Sequence, residues 1–335
     1  MVKKQLKLNL INKIKYKIWK KTVNSLKNYK LYPIIYKSFW HYVIYKSKNT
    51  NSYKNNYYTA LPNSVAGIGH QMANWIAGYW FAQNFDLRHV HSSFSDTKWE
   101  QFFGFGEEEI SVEELKKKGY RVIRLPLFDE KRKNEVELQK KIIESYNSRK
   151  LIFEAEIDQF YEKQFGVIDH IQKKFYNAEH RNNENLIFNK NVFNIAIHIR
   201  RGDIVQGKIE NNPNLTMRWL SNNYFETLLQ SVLDYLKTNK EVHIYLFSQG
   251  KESDFASFKH FSNLHFCLDM NAQDSFLHMV MADVLITSKS SFSYKPSLLN
   301  KGIKVVPKDF WHGYPKTKDF ILADNAGNLL LNEQK

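Results

Sequence analysis

Apolar residues in this chain change their spacing again and again, and the changes mark an alternation of strands and helices. The second half shows it most cleanly. Val192, Phe193, Ile195, Ile197 and Ile199 form a β-branched and aromatic run that predicts a buried strand. A helical spacing follows from about Asn222 to Lys237, and Val242 to Phe247 predicts the next strand. A short helix near 252–260, a strand over 264–268, a helix over 273–281, a strand over 283–287, a helix ending at Asn300 and a strand over 303–306 continue the series. This alternation predicts an α/β fold, a parallel sheet with helices on both faces.

The first half carries the same signal less regularly. Thr59 to Ala66 predicts a strand interrupted by Pro62, and Met72 to Phe85 a helix. Leu87 to His91 predicts a second strand. Helices are expected over 107–118 and 130–146, with strands over 120–125 and 151–153. Ile157, Phe160, Phe165, Ile168, Ile171 and Phe175 fall at helical spacing, and His180 to Glu184 is a polar break suited to an interdomain linker. The expected organisation is an extension over 1–58, one α/β domain over 59–185 and a second over 186–335.

The extension has its own pattern. Leu6, Leu10, Ile14 and Ile18 recur every four residues, with Ile11 beside them and lysines between, which predicts a basic amphipathic helix. Trp19, Tyr36, Phe39, Trp40, Tyr42 and Tyr45 add aromatic anchors of the kind found at membrane interfaces. No apolar run reaches the length of a membrane span, and no apolar stretch with a cleavage site suggests a signal peptide.

Charge sharpens this picture. Fourteen lysines, no arginine and no carboxylate lie before Asp86, so fourteen of the net +15 charges belong to the first 85 residues. The remainder is nearly neutral, which removes nucleic acid as the expected partner of the body. An anionic membrane surface, reached through residues 1–58, is the expected partner of the extension. The competing expectation is a helix packed on the protein's own body with its lysines in water. The single cysteine, Cys267, excludes a disulfide framework and a cysteine-rich zinc site and suits a reducing compartment. It stands in an apolar run, as a small core residue would.

Three of the expected strands end in polar turns: Arg200-Arg201-Gly202-Asp203, Ser248-Gln249, and Ser288 to Ser293 at the start of a helix. Ligands of open α/β sheets bind beyond the carboxyl ends of the strands. Paired guanidiniums suit a phosphate, and so do the N–H groups of a helix start. Singly, each turn has a plain reading: a surface turn for the arginines, an N-cap for the serines. Together they suggest a diphosphate site. Arg-Gly-Asp against a buried strand is no adhesion tag. Gly67-Ile68-Gly69 lacks the third glycine of a dinucleotide fingerprint, since Met72 stands there. There is no phosphate-loop Gly-Lys-Ser/Thr, no pair of aspartates two residues apart to hold a metal, and no HExxH.

In this order and at these distances, Gly67-Ile68-Gly69-His70-Gln71, His198-Ile199-Arg200-Arg201-Gly202-Asp203 and Ser290-Ser291-Phe292-Ser293 resemble the α-1,2-, α-1,6- and protein O-fucosyltransferase superfamily. The serine motif is similar to that of the bacterial α-1,2 group. The resemblance covers about residues 60–310. It implies a GT-B fold, two Rossmann-like domains facing a cleft, with 59–185 on the acceptor side and 186–335 binding the nucleotide sugar. It implies GDP-fucose as donor, inversion at the anomeric carbon and no metal cofactor. By resemblance, Arg200 holds the diphosphate and Arg201 supports the turn or the phosphate. His198 and Asp274, or less readily Asp269, address guanine. Ser290 and Ser291 contact phosphate, with Ser248 and Phe292 on the donor side, and Gly67, Gly69, His70 and Gln71 border the donor and acceptor cleft. The chain departs from the α-1,2 pattern at His70, where that group has Asn, and at Tyr294-Lys295-Pro296, where it has an aromatic pair.

Sugar transfer also needs a group to take the acceptor's proton. Glu210 is the first candidate, with Asp203, Asp96 and Glu100 as alternatives; Asp203 is equally suited to orient the arginines. The expectation is therefore a fucosyltransferase acting on a sugar hydroxyl of a surface glycan, lipid-linked in one version, at the cytoplasmic face of a membrane. The alternatives are a transferase using another nucleotide sugar, a non-catalytic protein binding anionic membrane or nucleic acid through its extension, and an inactive scaffold of the same fold.

Overall fold

The structure is a computed structural model that describes residues 14–15, 17–19, 21–23, 25–27, 29, 31–45, 51–147, 150–156, 166–181 and 185–331. The expected positions Leu6, Leu10, Ile11, Ile157, Phe160 and Phe165, and most of the expected linker, lie outside these residues. The described chain forms two compact units. One takes the described residues up to Leu61 together with 77–92 and those of 110–158; the other takes 62–76, 93–109 and the described residues from 166 onward.

The first unit is built on a four-stranded sheet. Its strands are β1 (Tyr57–Ala60), β2 (Arg88–His89), β3 (Arg121–Arg124) and β4 (Leu151–Ala155), in the order β2-β1-β4-β3 and all parallel. Val90, Val112, Leu115 and Ile152 make part of its core. Pro62 follows β1 closely, and the strand stops at Ala60, short of the expected 66. Proline cannot donate to a ladder. Against one side of this unit lies the helix Lys37–Tyr45. Ser38 Oγ donates to the Arg124 carbonyl at 2.9 Å, and the His41 ring stacks on Tyr146 with centroids 3.8 Å apart.

The second unit holds a six-stranded parallel sheet: β5 (Phe193–His198), β6 (Val242–Ser248), β7 (Leu264–Leu268), β8 (Val284–Ile286), β9 (Ile303–Pro307) and β10 (Phe320–Ala323). Their order is β10-β9-β8-β5-β6-β7. Alternate residues of β5 feed opposite faces. Ile195 and Ile197 join a core with Leu228, Leu246, Val284 and Ile286, while Ala196 joins Tyr245, Phe247, Met279 and Leu285. Each fully buried Leu, Ile or Phe contributes about 2 kcal/mol of transfer free energy. That is why the strands read as nearly unbroken apolar runs. Cys267 is buried in the second of these clusters, as expected, and burial pushes its thiol up to about 11.

The strand order also locates the ligand-binding edge of this sheet. From β5 the chain lays β6 and β7 on one side, then crosses to place β8, β9 and β10 on the other. The connections leaving β5 and β8 diverge, so the carboxyl ends of these two neighbours mark the topological switch point of the sheet. Two features go beyond the sequence expectation. The residues after the basic turn form the short helices Asp203–Ile209 and Pro213–Thr216, and β10 pairs beside β9. Among the described residues no helix is long and apolar enough to cross a membrane.

Candidate active site

Beyond the carboxyl ends of β5, β6 and β8, within the second unit, lies a cavity of about 540 Å³. His198, Arg200, Arg201 and Asp203 line it after β5, Ser248 and Gln249 after β6, and Ser290, Ser291 and Phe292 after β8. The three polar turns picked out by sequence do converge on one space.

The basic turn is shaped by Gly202. Its φ of 59° with ψ of −116° is open only to glycine, and a β-carbon there would meet the Gln249 side chain. The reversal gives the two arginines different roles. Arg200 stays on the cavity wall. Its Nη2 donates to Asp203 Oδ2 at 2.8 Å and its Nη1 to Ser290 Oγ at 3.2 Å. Arg201 turns inward and is buried. Its Nη1 donates to the carbonyls of Arg200 and Leu220 at 2.9 and 3.1 Å, and its Nη2 donates to Asn222. The guanidinium carbon lies 4.2 Å from the centre of the Trp219 ring. Burial pulls its pKa down to about 10, which leaves it charged at neutral pH. Arg201 therefore braces the turn, and Arg200 presents charge to the cavity.

His198 ends β5. Ser288 Oγ donates its one proton to the His198 carbonyl and accepts from the Arg200 N–H at 2.9 Å. The His198 Nδ1 lies 3.1 Å from that same oxygen, so the ring carries its proton on Nδ1 and keeps a lone pair on Nε2. Burial first, then the charges of Arg200 and Arg201, hold its pKa at about 3, so the ring is neutral. Phe292 lies beside it, with ring centroids 5.6 Å apart.

The helix Ser291–Leu299 opens on the cavity. Ser290 is its N-cap and accepts from Phe292 N–H at 3.2 Å. The helix Ile68–Asn84 starts on the same cavity, which Ala66, Gly67, Ile68, Gly69 and His70 line. Two helix starts and Arg200 thus aim partial and full positive charge at one space, an arrangement suited to an anionic group. Gly69 permits it: a β-carbon there would stand 2.7 Å from the Ser291 carbonyl oxygen. Gly67 has no neighbour within 4 Å of such a carbon.

Other expected site residues fall elsewhere. Gln71 is a structural clamp: its Nε2 donates to Ala66 O and Ser95 Oγ, and its Oε1 accepts from Ser95 N–H. Asp274 is absent from this cavity's lining. It lines a neighbouring one of about 530 Å³, where its carboxylate accepts from the side-chain amides of Asn185 and Asn271, and Ser275 takes the place beside the first cavity. Glu210 closes the Asp203–Ile209 helix, is exposed, accepts from Gln206 and does not line the cavity. Asp96 caps the helix Thr97–Phe103, and Glu100 accepts from Phe94 N–H at 2.9 Å. Among the described residues Asp203 is the one carboxylate on the cavity wall.

Sequence reasoning missed Arg218 and Met270 in the lining, and His312 behind it. Arg218 lies with its guanidinium carbon 4.9 Å from the Trp311 ring centre. His312 Nε2 is 3.2 Å from Ser291 Oγ, and its ring stacks on Tyr294 at 4.8 Å. The aromatic run Phe310-Trp311-His312-Gly313-Tyr314, just past β9, was the available signal for these last contacts.

No protein-family model matches the chain, and no curated protein sequence does. In three dimensions the chain is similar to a crystal structure of POFUT1 in complex with GDP, at 14% identity and a TM-score of 0.47 over 76% of this chain and 99% of that one. It is also similar to NodZ α-1,6-fucosyltransferase co-crystallised with GDP, at 12% identity and a TM-score of 0.39 over 81% of this chain and 97% of that one. The NodZ fucosyltransferase from Bradyrhizobium is a further likeness, at 11% identity and a TM-score of 0.38 over 72% and 92% of the two chains.

Proposed function

We propose that this protein is a glycosyltransferase that moves L-fucose from GDP-fucose to a sugar hydroxyl, inverting the anomeric carbon without a metal ion. The observation that carries the reading is the convergence of Arg200, Ser290 and two helix starts on one cavity at the switch point of a parallel sheet. A nucleoside diphosphate leaving group needs fixed positive charge where its own negative charge develops. Arg200 and the first N–H groups of the Ser291–Leu299 helix supply that charge. In the step itself the acceptor oxygen attacks C1 of the sugar and the C1–O bond to the β-phosphate breaks. The electron pair leaves on the phosphate toward Arg200. Asp203 holds Arg200 extended for this role. His198 offers the Nε2 lone pair to an N–H donor of a purine, with the Phe292 ring alongside.

The choice of guanine and fucose follows the motif resemblance, and the test separates it from other nucleotide sugars. GDP should raise the melting temperature more than UDP, ADP or CDP, because a ligand bound only by the native state stabilises it. GDP-fucose with a panel of glycans should then give a fucosylated product, with or without a chelator. Stabilisation by UDP alone would reassign the donor.

The acceptor in this proposal is a surface glycan, and the enzyme works on the inner face of a membrane. The support is the helix Lys37–Tyr45. Ser38 and His41 turn toward the first unit, while Trp40, Val43, Ile44 and Tyr45 stay exposed, Ile44 by 70%. Ile14, Ile18, Leu31 and Ile35 are exposed too. The lysines around them have no carboxylate nearby in sequence, so an anionic lipid surface matches both the charge and the apolar face.

A further inference from the structure

We infer that the neighbouring cavity of about 530 Å³ is a sugar subsite, holding a neutral unit of the acceptor glycan beyond the one that receives fucose. The inference rests on the sugar-transfer reading above, which leaves the acceptor's place unassigned. The two cavities adjoin within the second unit. Ala272, at the start of the Ala272–Met281 helix, stands in the wall of both. A glycan whose reacting unit meets the donor at the first cavity has its next units within reach of the second.

Charge decides which class of ligand each cavity takes. The first sets Arg200, Arg201 and Arg218 against Asp203, an excess of positive charge that suits a diphosphate. The second sets Lys98 and Arg181 against Asp96 and Asp274, so its formal charges cancel. Its remaining titratable group, His180, has Nδ1 3.0 Å from the Glu107 carboxylate, a partner of its own. A phosphate gains nothing from such a wall, and a neutral polar ligand loses nothing.

The groups left open on this wall suit hydroxyls. Trp99 is half-buried and stacks on Phe103 with centroids 5.4 Å apart, and its indole N–H has no partner among the described residues. The Gln101 amide is exposed and has none among them either. Asp96 accepts the Lys98 N–H on Oδ1 at 2.9 Å, and Asp274 accepts Asn185 and Asn271 both on Oδ2. Each carboxylate thus keeps an oxygen for a ligand. Gln273 donates to the Lys98 carbonyl at 2.7 Å and keeps its own amide oxygen. Donors and acceptors interleaved in this way match a sugar, whose every hydroxyl both donates and accepts. The indole adds an apolar body with a polar tip, which suits a ring that carries C–H groups beside its hydroxyls. The ribose of a nucleotide offers the same hydroxyl chemistry, and the GDP arm of the test separates the two.

The experiment uses the full-length wild type, Gln101→Ala and Trp99→Phe. The first variant removes an exposed amide that bonds no other described residue, and the second keeps a ring on Phe103 and removes the indole N–H. The probes are neutral di- to tetrasaccharides of glucose, galactose and N-acetylglucosamine, each beside its monosaccharide and a uronic-acid chain of equal length. Wild type should prefer a neutral oligosaccharide to its monosaccharide. In either variant KM for that oligosaccharide should rise about three- to tenfold, the weight of one neutral hydrogen bond. KM for GDP-fucose, transfer to the monosaccharide and the thermal shift given by GDP should hold. An oligosaccharide KM unmoved in both variants would overturn the subsite, as would a wild type that prefers the uronic-acid chain. Loss of the GDP shift in the variants would give the cavity to the donor's ribose and overturn it too. The thermal shift given by the oligosaccharide without donor keeps this inference separate from the reading beneath it. A wild type that shows that shift, weakened in both variants, yet transfers no fucose would overturn the transfer reading and support the sugar site.

Discussion

Gly69 and Ser291 meet backbone to backbone: a β-carbon on Gly69 would lie 2.7 Å from the Ser291 carbonyl oxygen and 2.9 Å from its carbon. Through this contact two helix starts face the same cavity. Neither side is a flexible side-chain tip that can swing away. Gly69→Ala should therefore force the two helices apart, at about 1–3 kcal/mol of stability, the usual cost of overpacking. GDP affinity should fall with it. Gly67→Ala, where the added carbon meets nothing within 4 Å, is the matched control and should leave both properties nearly unchanged. Thermal melts with and without GDP measure the pair. Equal melts for the two variants would mean that the close approach has no energetic weight.

The two arginines of the basic turn should fail in different ways. Arg200→Ala removes charge from the cavity wall but leaves the fold standing. Turnover should drop about 10²- to 10³-fold, as for loss of one transition-state donor. Arg201→Ala leaves the carbonyls of Arg200 and Leu220 and the Asn222 side chain without their donor, and empties the space over Trp219. Its cost should appear as stability, about 3 kcal/mol or more, because buried acceptors lose a charged partner. Urea denaturation of each variant, beside GDP-fucose turnover, distinguishes the two. An Arg201→Ala protein as stable as wild type would contradict the bracing role.

Asp203→Asn should give an intermediate result. The amide keeps the size of the carboxylate but gives up the ion pair at 2.8 Å. More than half of the Asp203 side chain is exposed, so the stability change should be within about 1 kcal/mol. Turnover should fall about tenfold, because Arg200 loses the partner that holds it extended. A larger loss of folding than of rate would show that Asp203 serves the helix start and not the arginine.

Much of the second unit was legible because a parallel sheet buried on both faces spells its strands as apolar runs. Ile195, Ile197, Val284 and Leu285 could hardly serve elsewhere. The convergence of Arg200, Ser248 and Ser290 was legible for a topological reason, since parallel strands end on one edge. What the sequence hid depends on contacts remote along the chain. Nothing near Glu210 signals that its helix carries it off the wall, and nothing near Asp274 signals that Ser275 takes the inner position. Gln71 looked like a cleft residue because it sits in the glycine motif. Its amide instead ties Ala66 to Ser95, a partner 24 positions away. Gly69 was legible as a turn, but its true constraint, Ser291, lies over two hundred residues on.

The extension makes a prediction independent of the chemistry. Full-length protein should sediment with vesicles of anionic phospholipid and stay in solution with vesicles of phosphatidylcholine alone. The attraction should weaken as salt rises, since Lys near an anionic surface contributes about 1 kcal/mol each at ordinary ionic strength. Ile44→Asp, on the exposed side of the Lys37–Tyr45 helix, should reduce binding about tenfold or more while GDP still raises the melting temperature. Sedimentation that is equal with both vesicle types, or unaffected by Ile44→Asp, would remove the membrane from the proposal.

His198 should leave a signature in the pH dependence of stability. In the folded protein its pKa is held at about 3, against 6.5 for the free side chain. Between those values the unfolded chain binds a proton that the folded chain refuses, so falling pH favours unfolding. The full stability contributed by a neutral His198 is thus present above pH 6.5 and is lost progressively as pH falls from 6.5 toward 3. At pH 5 linkage puts the loss at about 2 kcal/mol relative to pH 8. His198→Gln, which cannot take up the proton in either state, should lose correspondingly less over the same interval. The comparison is made on the difference between the two proteins, so carboxylates that titrate in both cancel. Parallel stability curves from pH 8 to pH 5 would show that the folded protein takes up the proton as readily as the unfolded chain, and that burial does not hold the ring neutral.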